Sequence, residues 1–293
     1  MVSLNGIELP EHYTGIGMHD TPGAEVAVWD YNTAASHARL LRERGITLYK
    51  LFGSATKAQR AAAYADNGIL VIHRHWPGGA HWGKPPGQWL MPVDQYNLLR
   101  GFRVSLFEPW NEFNIQEEWV FPIPNAIAVA HAVVDAWEEA LALYGDSQHL
   151  LFPSNTPGGN RDHRTCYKFI CEELWKRGLQ STVRHVAIHP RPFNNPPGEV
   201  YSATNTVTFD EWRWIKACFE NVGIRAFYWA TEHGYSLGDH QNTNYPAINV
   251  QKHTNYNWKL QQRMNPEHAQ AIAPELAGTC HWFEAGWGHW GPW

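Results

Sequence analysis

Arg103-Val-Ser-Leu-Phe-Glu-Pro-Trp-Asn-Glu112 reads as a short β-prone run that passes, with no turn between, into a polar segment. A brief apolar run closed by a proline suits a buried strand better than a helix. The same kind of run recurs on either side. Upstream are Tyr13–Met18, Ile46–Phe52 and Ile69–His75; downstream are Leu150–Phe152, Arg184–His189, Arg225–Glu232 and Thr279–Phe283. Amphipathic stretches separate them. The first passes through Ala34, Leu40 and Leu41 and stops at Gly45; then come Thr56–Asp66, a shortened one near Asp94–Arg100, Asn125–Tyr144, Arg161–Arg177, Phe209–Val222 and Pro266–Leu276. Such alternation predicts parallel strands joined by helical crossovers. Eight strand-like runs and seven helical ones fit a closed (β/α)8 TIM barrel better than an open doubly wound sheet. No GxGxxG or GxxxxGK(S/T) phosphate loop supports the latter. At 293 residues the chain is predicted to form a single domain over 1–293.

Composition narrows the function. Lys and Arg number 23 against 28 Asp and Glu, a net charge of −5, and no basic run could neutralise a row of phosphates, so nucleic acid is not an expected partner. Many of the 16 Trp and 17 His lie beside Gly and Pro, a placement that suggests a polar, aromatic-lined cleft. Cys166, Cys171, Cys218 and Cys280 form no CxxC pair, which predicts four buried or half-buried thiols. No stretch reaches the roughly 18 apolar residues of a membrane span, and MVSLNGIELPEHY does not read as a signal peptide. The chain is therefore expected to be soluble, cytoplasmic as it stands or secreted if a leader has been removed.

Polar residues gather at the carboxyl ends of the proposed strands, the face on which barrel enzymes build their sites. Glu112 follows strand four and Glu232 ends strand seven, on opposite sides of the barrel mouth. Two carboxyl groups facing each other across a bound sugar are what glycosidic cleavage requires, one to protonate the leaving oxygen and one to attack the anomeric carbon.

Trp110-Asn-Glu-Phe-Asn114 resembles the W-N-E-P-N signature of clan A glycoside hydrolases, and Thr231-Glu-His-Gly-Tyr-Ser236 resembles their T-E-x-G-(W/Y)-S segment. The resemblance covers Thr14 to Glu284 and implies retention of anomeric configuration, with Glu112 as acid/base, Glu232 as nucleophile and Asn111 on the sugar's 2-hydroxyl. It also implies that Trp282 floors the central subsite. Phe113 departs from the usual Pro, and Lys50 stands where many members carry Arg. Lys50, His73, His75, His189, Trp76, Tyr235 and Glu284 complete the candidate substrate-binding set.

Blander readings stand beside these. Glu108 reads as a buried carboxylate held by Arg or Lys, and Glu284 equally as an exposed loop charge. Trp76, Trp82, Trp89, Trp119, Trp287 and Trp290 could stack on sugars or pack their own loops. His73 and His75 share one strand face, which opens a metal reading, though no Asp at a neighbouring strand end completes a ligand set. The expectation is a cofactor-free hydrolase acting on a β-linked oligo- or polysaccharide. The alternatives are a metal-dependent barrel hydrolase using the histidines, a non-catalytic carbohydrate-binding barrel and a transglycosylase.

Overall fold

A computed structural model describes residues 2–4, 7–9, 15–20, 29–53, 57–199, 202, 204–265, 267–272 and 275–281. Two short N-terminal strands, Val2–Leu4 and Ile7–Leu9, pair antiparallel. The barrel strands are β1 Gly15–His19, β2 Leu48–Gly53, β3 Leu70–His75, β4 Leu106–Glu108, β5 Leu151–Phe152, β6 His185–Ile188, β7 Phe227–His233 and β8 Gly278–His281. They hydrogen-bond in the order β4-β3-β2-β1-β8-β7-β6-β5, all parallel, and a parallel bridge between Phe107 and Leu150 joins the two ends. The sheet is thus closed, a single (β/α)8 barrel.

Among the described residues seven α-helices separate the strands: α1 Tyr31–Glu43, α2 Ala58–Asp66, α3 Val93–Gly101, α4 Ala126–Tyr144, α5 His163–Lys176, α6 Glu211–Asn221 and α7 Val250–Gln262. Local chemistry sets their ends. Asn125 caps α4 by accepting from the Ala128 amide, and Gly145 closes it at φ 64°, a left-handed geometry that glycine adopts without strain. Along α4 the buried residues Val129, Val133, Val134, Trp137 and Ala140 make one stripe facing the sheet.

The last helix corrects the sequence expectation. It is not Pro266–Leu276, where the described residues are turns, but Val250–Gln262. Its buried face is His253, Asn257 and Leu260, largely polar, so no apolar stripe announced it. The helix starts where Asn249 accepts from the Lys252 amide.

Two cores share the strands. Tyr49, Leu51, Val71, Phe107, Val186, Ile188 and Tyr228 point outward into the helix layer. Leu48, Leu70, Ile72, Leu106, Leu151, Ala187, Trp229 and Cys280 point inward and fill the barrel floor. Packing there is tight at Gly17, where a Cβ would come within 2.8 Å of the Leu48 Cβ and of the Leu48 and Thr279 carbonyl oxygens. Cys166, Cys171 and Cys280 are buried and Cys218 is half-buried, all as free thiols. Among the described residues no helix is long and apolar enough to cross a membrane.

Candidate active site

Above the floor the inward positions turn polar. Lys50 on β2, Arg74 on β3, Glu108 on β4 and Thr231 on β7 are all buried, and His189 follows β6 with 0% exposure. Glu232 joins them because β7 is irregular. Trp229 and Ala230 pair with Gly278 and Thr279, but His233 pairs with His281, so two residues of β7 oppose Cys280 alone. A bulge of this kind re-aims a side chain. It lets adjacent residues serve one site: Thr231 Oγ1 donates to Glu108 Oε1 (2.9 Å) while Glu232 Oε1 accepts from Lys50 Nζ (2.9 Å).

Three carboxylates and three permanent cations interlock. Lys50 Nζ also forms an ion pair with Glu108 Oε2. Glu232 Oε1 accepts from Arg74 Nη1 (2.9 Å) and lies 3.4 Å from His19 Nε2. Arg191 Nη2 lies 2.8 Å from Glu232 Oε2 and 3.1 Å from Glu112 Oε1. His189 Nδ1 is 2.8 Å from Glu112 Oε1, and its Nε2 is 3.1 Å from Thr231 Oγ1. Since one Arg191 nitrogen contacts both, those Glu112 and Glu232 oxygens lie within about 6 Å of each other, below the roughly 6.5 Å at which the spacing of inverting pairs begins.

The surroundings settle the charges. Burial alone would raise the Glu232 carboxyl, but His189, Lys50 and Arg74 hold it well below the usual range. Burial likewise opposes ionisation of Glu112, yet Arg191 and His189 bring it down to about 2. His189 shows the converse: burial favours its neutral form, and the carboxylates of Glu232, Glu108 and Glu112 raise its pKa. In this arrangement both Glu112 and Glu232 are held ionised.

Other candidates fall in different places. Lys50 is fully buried between Glu108 and Glu232, where it holds carboxylates rather than facing a ligand. Asn111 is half-buried; its amide donates to the Glu118 carboxylate. Trp76 is 42% exposed beside Phe52 at the end of β3, open to a ligand. His73 and His75 do share a face, but it is the outer one. His73 packs near the Phe107 ring and His75 Nε2 bonds the Trp89 carbonyl oxygen (3.1 Å), so neither lines the barrel mouth. Tyr235 is also displaced from the expected set: it is buried, and its hydroxyl donates to the Asn195 carbonyl oxygen (2.8 Å), tying the loop after β7 to the loop after β6. Trp82, Trp89 and Trp119 pack on one another as a small loop core. Trp282, Glu284, Trp287 and Trp290 lie outside the described residues.

Arg74 and Arg191 were missed by sequence reasoning. No signal in the sequence marked Arg74, because Ile69 and Val71 on one face are as apolar as Leu70 and Ile72 on the other; only the closed barrel, with Leu70 and Ile72 inside, sends Arg74 inward and the two histidines out. None existed for Arg191, which sits on an irregular segment after Pro190. From Phe193 onward that loop joins the loop after β7 around a cavity of ≈ 570 Å³, lined by Phe193, Asn195, Asn205, Asn242 and Tyr245 among others.

No protein-family model and no curated protein matches the chain. Its fold is similar to that of several solved glycosidases. A β-glucuronidase from Parabacteroides merdae shares 14% identity at TM-score 0.51, over 93% of this chain and 31% of that one. A β-glucuronidase from Ruminococcus gnavus in complex with D-glucuronic acid shares 10% identity at TM-score 0.55, over 95% and 43% of the two chains. A GH5 cellulase from an Icelandic hot spring isolate shares 11% identity at TM-score 0.57, over 95% and 78%. The chain thus spans less than half the length of either glucuronidase. What it shares with all three is the fold, the (β/α)8 barrel on which these glycosidases are built.

Proposed function

We propose that the protein is a retaining glycoside hydrolase acting on a β-linked oligo- or polysaccharide. The observation that carries this reading is the close pair of carboxylates, Glu112 and Glu232, at the carboxyl ends of strands on opposite sides of the barrel. In the proposed double displacement, Glu232 Oε2 attacks the anomeric carbon as Glu112 protonates the departing oxygen. Glu112 then takes a proton from water, which attacks the glycosyl-enzyme and frees Glu232. The charge pattern supports one half of this division: Glu232 is kept anionic by Lys50 and Arg74, as a nucleophile must be, whereas Glu112 must take up a proton before it can donate one. The polar cavity between the loops after β6 and β7, lined by Phe193, Asn195 and Tyr245 among others, offers room for further sugar units, and the glycosidases sharing the fold agree with the class of reaction.

Glu112→Ala tests the assignment. Aryl glycosides with activated leaving groups need little protonation, so they should still form the glycosyl-enzyme, which then accumulates for want of a base. Azide needs no base and should restore turnover, giving a glycosyl azide of the substrate's own configuration. An azide product of inverted configuration contradicts the assignment.

A second reading, a metal-dependent hydrolase, has one observation in its favour. Glu108, His189 and Glu232 bring a ligand atom each within 4.8 Å of one another. The residues fit a divalent cation poorly, because Lys50 is already ion-paired with both carboxylates and Arg74 and Arg191 with Glu232. A cation there would face three like charges. Activity unchanged by exhaustive chelation is the expected outcome.

A further inference from the structure

Glu112 is held ionised, yet the proposed reaction opens with Glu112 giving up a proton. The hydrogen bonds around His189 show where that proton is kept. Glu108, ion-paired with Lys50, has none to donate, so the Thr231 hydroxyl donates to Glu108 Oε1 at 2.9 Å. Toward His189 Nε2, at 3.1 Å, Thr231 then presents a lone pair, and Nε2 must carry a hydrogen. The other neighbour of Nε2, Glu108 Oε1 at 3.4 Å, is an acceptor as well. Across the ring Nδ1 faces Glu112 Oε1 at 2.8 Å, with Glu232 Oε2 at 3.5 Å. A bare Nδ1 there would set its lone pair against a carboxylate in a buried place, so one proton lies in the bond between His189 and Glu112.

Which partner holds it follows from the surroundings. Glu108, Glu112 and Glu232 crowd the ring. Arg191, under the influence of Asp239, lies against Glu112 Oε1 at 3.1 Å, while Lys50, Arg74 and His19 pair with the other two carboxylates. The carboxylates raise the pKa of His189 despite its burial, and Arg191 favours an ionised Glu112. At rest the proton therefore stands on the ring. With both nitrogens protonated the ring offers no lone pair to a metal.

Resting on the glycosidase reading, we propose that His189 stores the proton that Glu112 delivers, acting through Glu112 and not on the sugar. When Glu232 attacks, its carboxylate becomes an ester, and the ring loses one of the anions that holds its proton. The proton leaves Nδ1 for Glu112 Oε1 and passes to the departing oxygen, which keeps the electron pair of the broken glycosidic bond. His189 is left neutral with its hydrogen on Nε2, still bonded to Thr231, so the ring need not turn. In the second half of the reaction water gives its hydroxide to the anomeric carbon and its proton, through Glu112, back to Nδ1. Glu232 leaves as a carboxylate, and charge and protons balance over the cycle.

Nitrogen NMR of the full chain, with labelled histidine assigned through the backbone, reads the ring without relying on turnover. At about pH 7, where an ordinary histidine is mostly neutral, both His189 nitrogens should carry hydrogen. Glu232→Gln removes the charge as the ester does, and Nδ1 should then lose its hydrogen about one pH unit or more lower. Kinetics adds what a structural role would not move. On glycosides with poor leaving groups the alkaline limb of kcat/KM belongs to the His189–Glu112 pair. His189→Gln should shift it down by about two pH units or more, toward the range of a carboxyl alone, while activated aryl glycosides lose less. A bare Nδ1 at pH 7, an unmoved titration in Glu232→Gln or an unmoved limb in His189→Gln overturns the proposal. The wild-type spectrum decides even if neither variant folds. A doubly protonated His189 that responds to Glu232, in a protein that cleaves no glycoside, sinks the hydrolase reading and leaves the shared proton standing. Cleavage of glycosides with Nδ1 bare does the reverse.

Discussion

The floor and the mouth of the barrel are two regions only one inward position apart. Leu48 lies below Lys50, Ile72 below Arg74, Leu106 below Glu108, Ala187 below His189 and Trp229 below Thr231. Each pair shares a strand and a face, separated by the roughly 6.6 Å that two residues span. The lower members bury apolar surface and stabilise outright. The upper ones carry charged or hydrogen-bonding groups into a dry interior, where each must be matched by a partner to be tolerated at all. Stability and chemistry are thus divided by height along the same strands, not between separate parts of the fold.

The sharpest way to break the comparison is at the mouth. Glu232→Gln keeps shape but removes the proposed nucleophile, and kcat should fall by about three orders of magnitude or more while ligand binding changes little. Retention of more than a trace of wild-type turnover would place the nucleophile elsewhere.

Lys50→Met asks what the mouth costs in stability. Glu108 and Glu232 would be left facing each other without the ammonium between them, and unfolding free energy should drop by about 3–5 kcal/mol. Urea titration would measure it; a loss below about 1 kcal/mol would mean that these charges are solvated rather than interlocked.

Acid should expose the same dependence. Glu112 is held near 2 when folded against an ordinary 4.5, so its contribution is complete above the unfolded value and disappears as pH falls through that window, about 3 kcal/mol in all. Buried His185 and His233, both lowered to about 3, add an earlier loss beginning below about pH 6.5, because only the unfolded chain binds their protons there. Urea midpoints from pH 7 to 3 should fall in two stages, and Glu112→Gln should make the second shallower, Glu108 and Glu232, also lowered, supplying the rest.

At the floor the expectation reverses. Leu70→Ala should cost about 2–4 kcal/mol through the cavity left behind while kcat moves little, since Leu70 lies two inward positions below Arg74 on β3. A comparable loss of kcat and stability would show that floor and mouth are mechanically coupled. The smallest effect is expected at Tyr235. Its hydroxyl serves a loop carbonyl, so Tyr235→Phe should remove about 1 kcal/mol of stability and leave KM within about twofold. A large rise in KM would return Tyr235 to the substrate.

Much of this was legible from residue order. Short apolar runs bounded by turn residues determine strands whatever surrounds them, and seven helical stretches between eight such runs left few closures other than a barrel. Asp30, Asn125 and Asp162 each cap the helix that the apolar pattern predicts, since a cap acts within one turn. The position of Glu112 and Glu232 at strand ends was equally local. What the pattern could not supply was which way each strand faces. A period of two defines two faces and does not say which is inside, so His73 and His75 were credited with the mouth that belongs to Arg74. Helix α7, with His253 and Asn257 on its buried side, escaped for a related reason: burial of polar groups depends on partners elsewhere in the chain.

By itself, then, the sequence determined the alternation of elements, the barrel and the two carboxylates. Only the tertiary structure decided their company. The bulge opposite Cys280 that lets Thr231 and Glu232 serve one site, the ammonium of Lys50 between Glu108 and Glu232, and Arg191 lodged between the two candidate catalytic groups are contacts spanning tens to hundreds of residues. Strand propensity acts between neighbours and is written residue by residue. Charge pairing is decided by distance in space, which exists only once the barrel has closed.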